Sequence, residues 1–157
     1  MSRRLRASLS ALLAVTALGA IAAVGYGDPS GLNITPLAVA TLDGPVRLDT
    51  AGIEMHTRGA RDALTARLEF GANGTTGWHT HPGPVIVQVA SGTLTLRFPT
   101  RTGCKVQTFG PGTGFIETGG QIHEATAGSE PVVVYATFLA KPGTTNYLLP
   151  AEKPAGC

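Results

Sequence analysis

Between Leu64 and Leu139 the apolar residues of this chain recur at every second position, in short runs that glycines break off. Leu64, Ala66, Leu68 and Phe70 alternate with Thr65, Arg67 and Glu69, and Thr93-Leu94-Thr95-Leu96-Arg97-Phe98 repeats the pattern after a Ser91-Gly92 turn. A period of two sends successive side chains to opposite faces of an extended backbone, so each run reads as a strand with one dry face. Val85-Ile86-Val87-Gln88-Val89 is mostly apolar, which predicts a strand inside the sheet. Gly71-Ala72-Asn73-Gly74 and the GPGTG stretch around Gly110 read as turns, and Trp78 to His81 as a short run between them. Further strands are expected at Val46–Leu48, Ile53–Thr57, Val106–Phe109, Gly114–Glu117, Gln121–Thr126 and Val132–Leu139. Beyond the N-terminal segment no stretch has helical periodicity. Many short strands joined by glycine turns predict an all-β fold, an antiparallel sandwich or barrel. A length of 157 residues suits one such domain.

The N-terminus is of another kind. Arg3, Arg4 and Arg6 precede a run from Ala7 to Gly27 without a charge, its apolar centre between Ala11 and Val24. A basic start, a brief apolar stretch and small residues after it describe an export signal over residues 1–25, cut after Gly25 or Ala20. The alternative is an uncleaved anchor, although alanine and glycine make the run weakly hydrophobic for a span. Residues 26–36 (DPSGLNITP from Asp28) are turn-like and are expected as a flexible linker, with the barrel domain and its C-terminal tail filling 37–157. Of twelve basic residues three are these arginines, which leaves nine against ten acidic ones. A body this close to neutral has no electrostatic footprint for nucleic acid, and none for a membrane beyond the N-terminal segment. Cys104 and Cys157 both lie in the exported part, where an oxidising compartment lets them pair and tie down the tail. The expected location is the cell envelope or the exterior.

The letters that carry chemistry are Trp78-His79-Thr80-His81-Pro82. Residues i and i+2 of a strand share a face, so both imidazoles project together, and neutral imidazole is a common metal ligand. By itself His-x-His is a short pattern that chance also supplies. Its surroundings add to it. His79 and His81 with Gly92, followed by Gly112, Gly120 and His123 within GTGFIETGGQIH, resemble the two motifs of the cupin superfamily, in order and at the right spacing. The resemblance spans roughly Leu64 to Leu139. It implies a double-stranded β-helix (cupin or jelly-roll) barrel, in which His79, His81 and His123 meet inside and hold one divalent metal ion. It also makes a homodimer plausible, because cupins often associate through sheet edges.

Three positions depart from the family pattern. Asn73 stands where the opening glycine is expected, Thr118 replaces the usual proline, and Val85 falls where the first motif has an acidic ligand. The first two are backbone details. The third removes a ligand, leaving a three-histidine site that resembles some cupin-like oxygenases or, equally, a barrel that holds metal weakly. Among nearby polar residues Gln88 has the wrong strand parity, and the face of Glu69 is undecided. Glu117 is the preferred candidate for an acid/base group or for a partner that supports the histidine ligands; its competing reading is a solvated loop carboxylate. His56 shares a face with Glu54 and reads as surface. Trp78, Phe115, Tyr135 and Phe138 are candidates for a pocket lining or for simple core.

Two functions follow from different classes. An ion with three histidine ligands (iron, manganese, nickel or zinc) keeps open positions for an oxygenase or isomerase acting on a small oxygenated molecule. The apolar residues Val85, Val87 and Val89 would favour a partly apolar or aromatic substrate. Alternatively the barrel binds a metal or small molecule in the envelope without turnover. No G-x-S-x-G elbow and no lysine-bearing phosphate loop is present.

Overall fold

The structure is a computed structural model that describes residues 28–157; the expected signal segment lies outside the described residues. Among the described residues every regular element is a strand. In chain order these are β1 (Ser30–Leu42), β2 (Arg47–Thr50), β3 (Ile53–His56), β4 (Arg61–Thr75), β5 (His79–Thr80) and β6 (Val85–Ser91). They continue with β7 (Leu94–Thr100), β8 (Gly103–Phe109), β9 (Gly114–Glu117), β10 (Glu124–Ala127), β11 (Val132–Ala140) and β12 (Leu149–Pro150). One antiparallel sheet runs β8-β7-β10-β4-β11-β6-β9 with β1 added to β4, and it curls into a nearly closed barrel. The all-β expectation holds, and the glycine turns fall between strands as expected at Gly92 and Gly112, both at positive φ.

Alternation builds the core. Ala66, Leu68 and Phe70 of β4, Val85, Val87 and Val89 of β6, and Val132, Val134, Ala136 and Phe138 of β11 all point inward into one cluster. Burying each of the larger side chains stabilises by about 1.5–3 kcal/mol over leaving it in water. β6 is paired on both edges, to β11 and β9, yet only alternate residues are buried, and Ile86 and Gln88 face outward.

Two boundaries differ from the sequence reading. The linker expected over 26–36 is, from Ser30 onward, the first part of β1, which pairs with β4 from Leu42↔Arg61 to Ser30↔Thr75. Gly31 and Pro36 disguise it. Both lie at register irregularities, and β1 pairs with β4 alone, so a missing proline N–H costs little on such a strand. The turn expected at Gly71–Gly74 is instead continuous with β4, which reaches from its long pairing with β11 to a partner in β10 at Thr75. Gly74 is there because β1 approaches closely: a Cβ on it would lie 2.5 Å from the carbonyl oxygen of Gly31. Asn73 tolerates the left-handed backbone at φ 59°.

Two contacts position the functional region. Gly83 and Gly119 meet backbone to backbone: a Cβ on Gly119 would be 2.9 Å from the Cα of Gly83, and one on Gly83 would collide with the Leu139 carbonyl. The C-terminal tail returns to the histidine strand, where β12 pairs with β5 (Leu149↔Thr80, Pro150↔His79) and the Ala151 N–H donates to the Trp78 carbonyl at 2.9 Å. A Cys104–Cys157 disulfide then clips the tail to β8, as the cysteine placement predicts. The bridge spans 53 residues, for which loop entropy gives about 4 kcal/mol of stabilisation. Replacing both cysteines by serine is expected to lower the unfolding free energy obtained from urea titration by that order, with the β-type circular dichroism retained.

Candidate metal centre

His79 and His81 flank Thr80 in extended backbone, so their rings share a face. His123 joins them through the main chain. The His79 N–H donates to the His123 carbonyl and the His123 N–H to the His79 carbonyl, each at 2.9 Å. This reciprocal pair sets residues 79 and 123 directly opposite one another. The ring centroids are 4.3 Å apart for His79 and His123, 4.7 Å for His79 and His81, and 5.0 Å for His81 and His123. All three are buried, and one ring nitrogen of each lies within 4.8 Å of the other two.

The outer nitrogens decide what the inner ones can do. His79 Nδ1 donates to the Gly77 carbonyl at 3.0 Å, His81 Nδ1 to that of Tyr147 at 2.5 Å, and His123 Nδ1 to that of Gln121 at 2.9 Å. A carbonyl only accepts, so each Nδ1 carries a proton, and each ring, when neutral, offers the lone pair of Nε2. Two of these atoms, on His79 and His81, are 3.2 Å apart, and His123 Nε2 is buried against a Glu117 oxygen at 3.0 Å. Buried acceptors facing one another without a donor suit a cation. The donor set therefore fits a divalent metal ion.

Glu117 is the fourth member. It ends β9, is 7% exposed, and sets Oε2 3.1 Å from His81 Nε2 and Oε1 3.0 Å from His123 Nε2. The reading of Glu117 as a solvated loop carboxylate does not describe this placement. Val85, where the family pattern expects an acid, is buried in the wall and is the cross-strand partner of Glu117. Glu69 pairs with Arg67 on the half-exposed outer face, Gln88 faces outward, and His56 is exposed on β3 away from the cluster. Phe115 and Phe138 line the space beside the histidines, whereas Trp78 is core and Tyr135 lies on the outside. Sequence reasoning missed Tyr147 and Leu148. The first supplies the carbonyl for His81 and sets its ring against Phe138 at 5.5 Å; the second lines the cavity. The one signal that could have pointed to the tail was Cys157, whose partner lies in the barrel.

The cavity between these groups and Val85, Val87, Phe115 and Phe138 has a volume of about 30 Å³. That holds one or two waters; a cavity that takes a benzene ring is nearer 150 Å³. The apolar wall expected from Val85 and Val87 is present, but in this conformation it encloses too little space for an aromatic substrate.

Comparison with solved structures returns cupin-family proteins. Oxalate decarboxylase from Bacillus subtilis is similar with a TM-score of 0.51 and 10% identity, over 58% of this chain and 27% of that one, so the chain spans little more than a quarter of its length. KdgF from Halomonas sp. is similar with a TM-score of 0.50 and 16% identity, over 74% and 88% of the two chains. A cupin-2 domain containing protein from Shewanella frigidimarina shows a TM-score of 0.42 and 18% identity, over 48% and 69%. No protein-family profile and no curated protein sequence matches the chain. The likeness is one of fold: the barrel is a cupin barrel.

Burial, and then the charge of His123, hold His79 down to about 4. Burial also opposes a charge on His123, but its bond to Glu117 and that carboxylate's charge outweigh it and raise the imidazole above its usual range. Burial raises Glu117, whereas hydrogen bonds from His123 and His81 outweigh it and bring the carboxyl to about 2. A metal therefore competes with a proton at His123 up to a higher pH than at His79. Apparent affinity for zinc is expected to climb as pH rises from 5.5 to 7.5, by up to about tenfold per unit for each proton released. Competition titrations across that range check it.

Proposed function

We propose that this chain is an extracytoplasmic metal-binding cupin in which His79, His81 and His123 hold one divalent ion. We further propose that it acts as a metal-dependent oxygenase or isomerase on a small oxygenated molecule. The observation that carries the reading is the convergence of three Nε2 atoms, each ring locked from behind by a backbone carbonyl. Iron, manganese, nickel or zinc all accept imidazole nitrogen. When bound, such an ion supplies Lewis acidity and, for the redox-active metals, a site for dioxygen.

The chain's own residues do the rest. Val85, Val87, Phe115, Phe138 and Leu148 keep the cavity apolar, which strengthens electrostatic interactions inside it. In this conformation its volume takes water or dioxygen beside the histidines, and a larger substrate requires the apolar wall to shift. Glu117, within reach of two of the rings, is the acidic side chain lining that cavity. The extracytoplasmic placement rests on the N-terminal signal pattern and is supported by the disulfide. Among the described residues no helix is long and apolar enough to cross a membrane.

The same small volume favours a second reading, a non-catalytic metal-binding cupin of the envelope. Metal analysis of the purified protein is expected to find stoichiometric metal in the wild type and background levels in a His79→Ala, His81→Ala variant. Oxygen uptake or product formation after loading with iron(II) or manganese, with small hydroxy- and oxo-acids supplied, supports turnover; metal retained without either supports the second reading.

A further inference from the structure

Resting on the metal reading above, we propose that Glu117 is a direct fourth ligand of the ion, rather than an acid/base group or an outer partner of the histidines. A carboxylate that merely orients a metal-bound histidine takes the ring nitrogen pointing away from the metal. Here that nitrogen is already taken in all three rings, by the carbonyls of Gly77, Tyr147 and Gln121. Glu117 instead approaches from the inside. Its two oxygens lie 3.1 and 3.0 Å from Nε2 of His81 and His123, the atoms left to bind a cation.

The ladder explains how it gets there. Directly opposed residues of an antiparallel pair project from the same face with Cβ atoms about 5 Å apart. Val85 and Glu117 are opposed in the pairing of β6 with β9, so Glu117 delivers its carboxylate from one strand over, while Val85 packs into the apolar wall. Charge supports the same assignment. Three neutral imidazoles leave a buried divalent ion with its full charge, and a buried charge is costly unless paired; an ionised Glu117 halves the net charge of the centre.

Cobalt(II) is the probe, titrated into the full domain at neutral pH and followed by its visible absorption. Glu117→Gln keeps the shape and removes the charged oxygen. The expected result is a loss of at least about tenfold in cobalt affinity together with shifted and re-scaled d–d bands at saturation, the thermal transition of the variant showing that it is folded. Glu117→Gln spectra that superimpose on those of the wild type at saturation overturn the assignment and leave the three-histidine site standing. A wild type that takes up no cobalt overturns the metal reading itself, and this inference with it. Independently of any variant, anomalous diffraction from cobalt-loaded wild type is expected to place a Glu117 oxygen at about 2.0–2.2 Å from the ion; an oxygen beyond 3 Å counts against it.

Discussion

The centre depends on a pair of backbone hydrogen bonds. His79 and His123 exchange N–H and carbonyl in an isolated antiparallel bridge, and that exchange brings the two histidine-bearing segments together. The polar cluster is held by main-chain pairing and by the apolar core behind it, and its rings, when neutral, face inward with lone pairs that no donor in the cluster satisfies. Buried polar atoms without partners cost about 1–3 kcal/mol each. A fold that carries them has set aside stability at the place where a cation belongs.

Much of this was legible in the sequence, for reasons of period. Alternation at Leu64–Phe70 and Thr93–Phe98 identified strands because burial in a barrel repeats every second residue, and the same rule put His79 and His81 on one face. The pairing of Cys104 with Cys157 was legible from their isolation. β1 was not, because Asp28-Pro29-Ser30-Gly31 and Pro36 are turn formers, and an edge strand can accommodate them where an inner one cannot. Nor was β4 beyond Phe70, where glycines look like a turn and Gly74 is there to let β1 approach. The tail was invisible for another reason: Tyr147 acts through its backbone carbonyl, which every residue possesses.

Glu117 lies between these cases. Its place in the second motif made it a candidate, but parity along β9 alone could not say which neighbour it would face. The register of β6 on β9 decides that, and register is a property of two strands. A ligand absent from one strand can be present on the next without any change in the space enclosed, which is why reading one motif at a time suggested a gap that the pairing fills.

The bare contact between Gly83 and Gly119 has a consequence for tuning. Gly83 follows the His79–His81 pair and Gly119 lies between Glu117 and His123, so their backbones act as a shim of minimum thickness between the two halves of the centre. A single methyl at Gly119 would wedge the halves apart by a few tenths of an ångström, the scale on which coordination distances of different metals differ. The bite of the site is therefore set at a position that carries no donor atom, and a change there would re-tune it with every ligand residue unaltered.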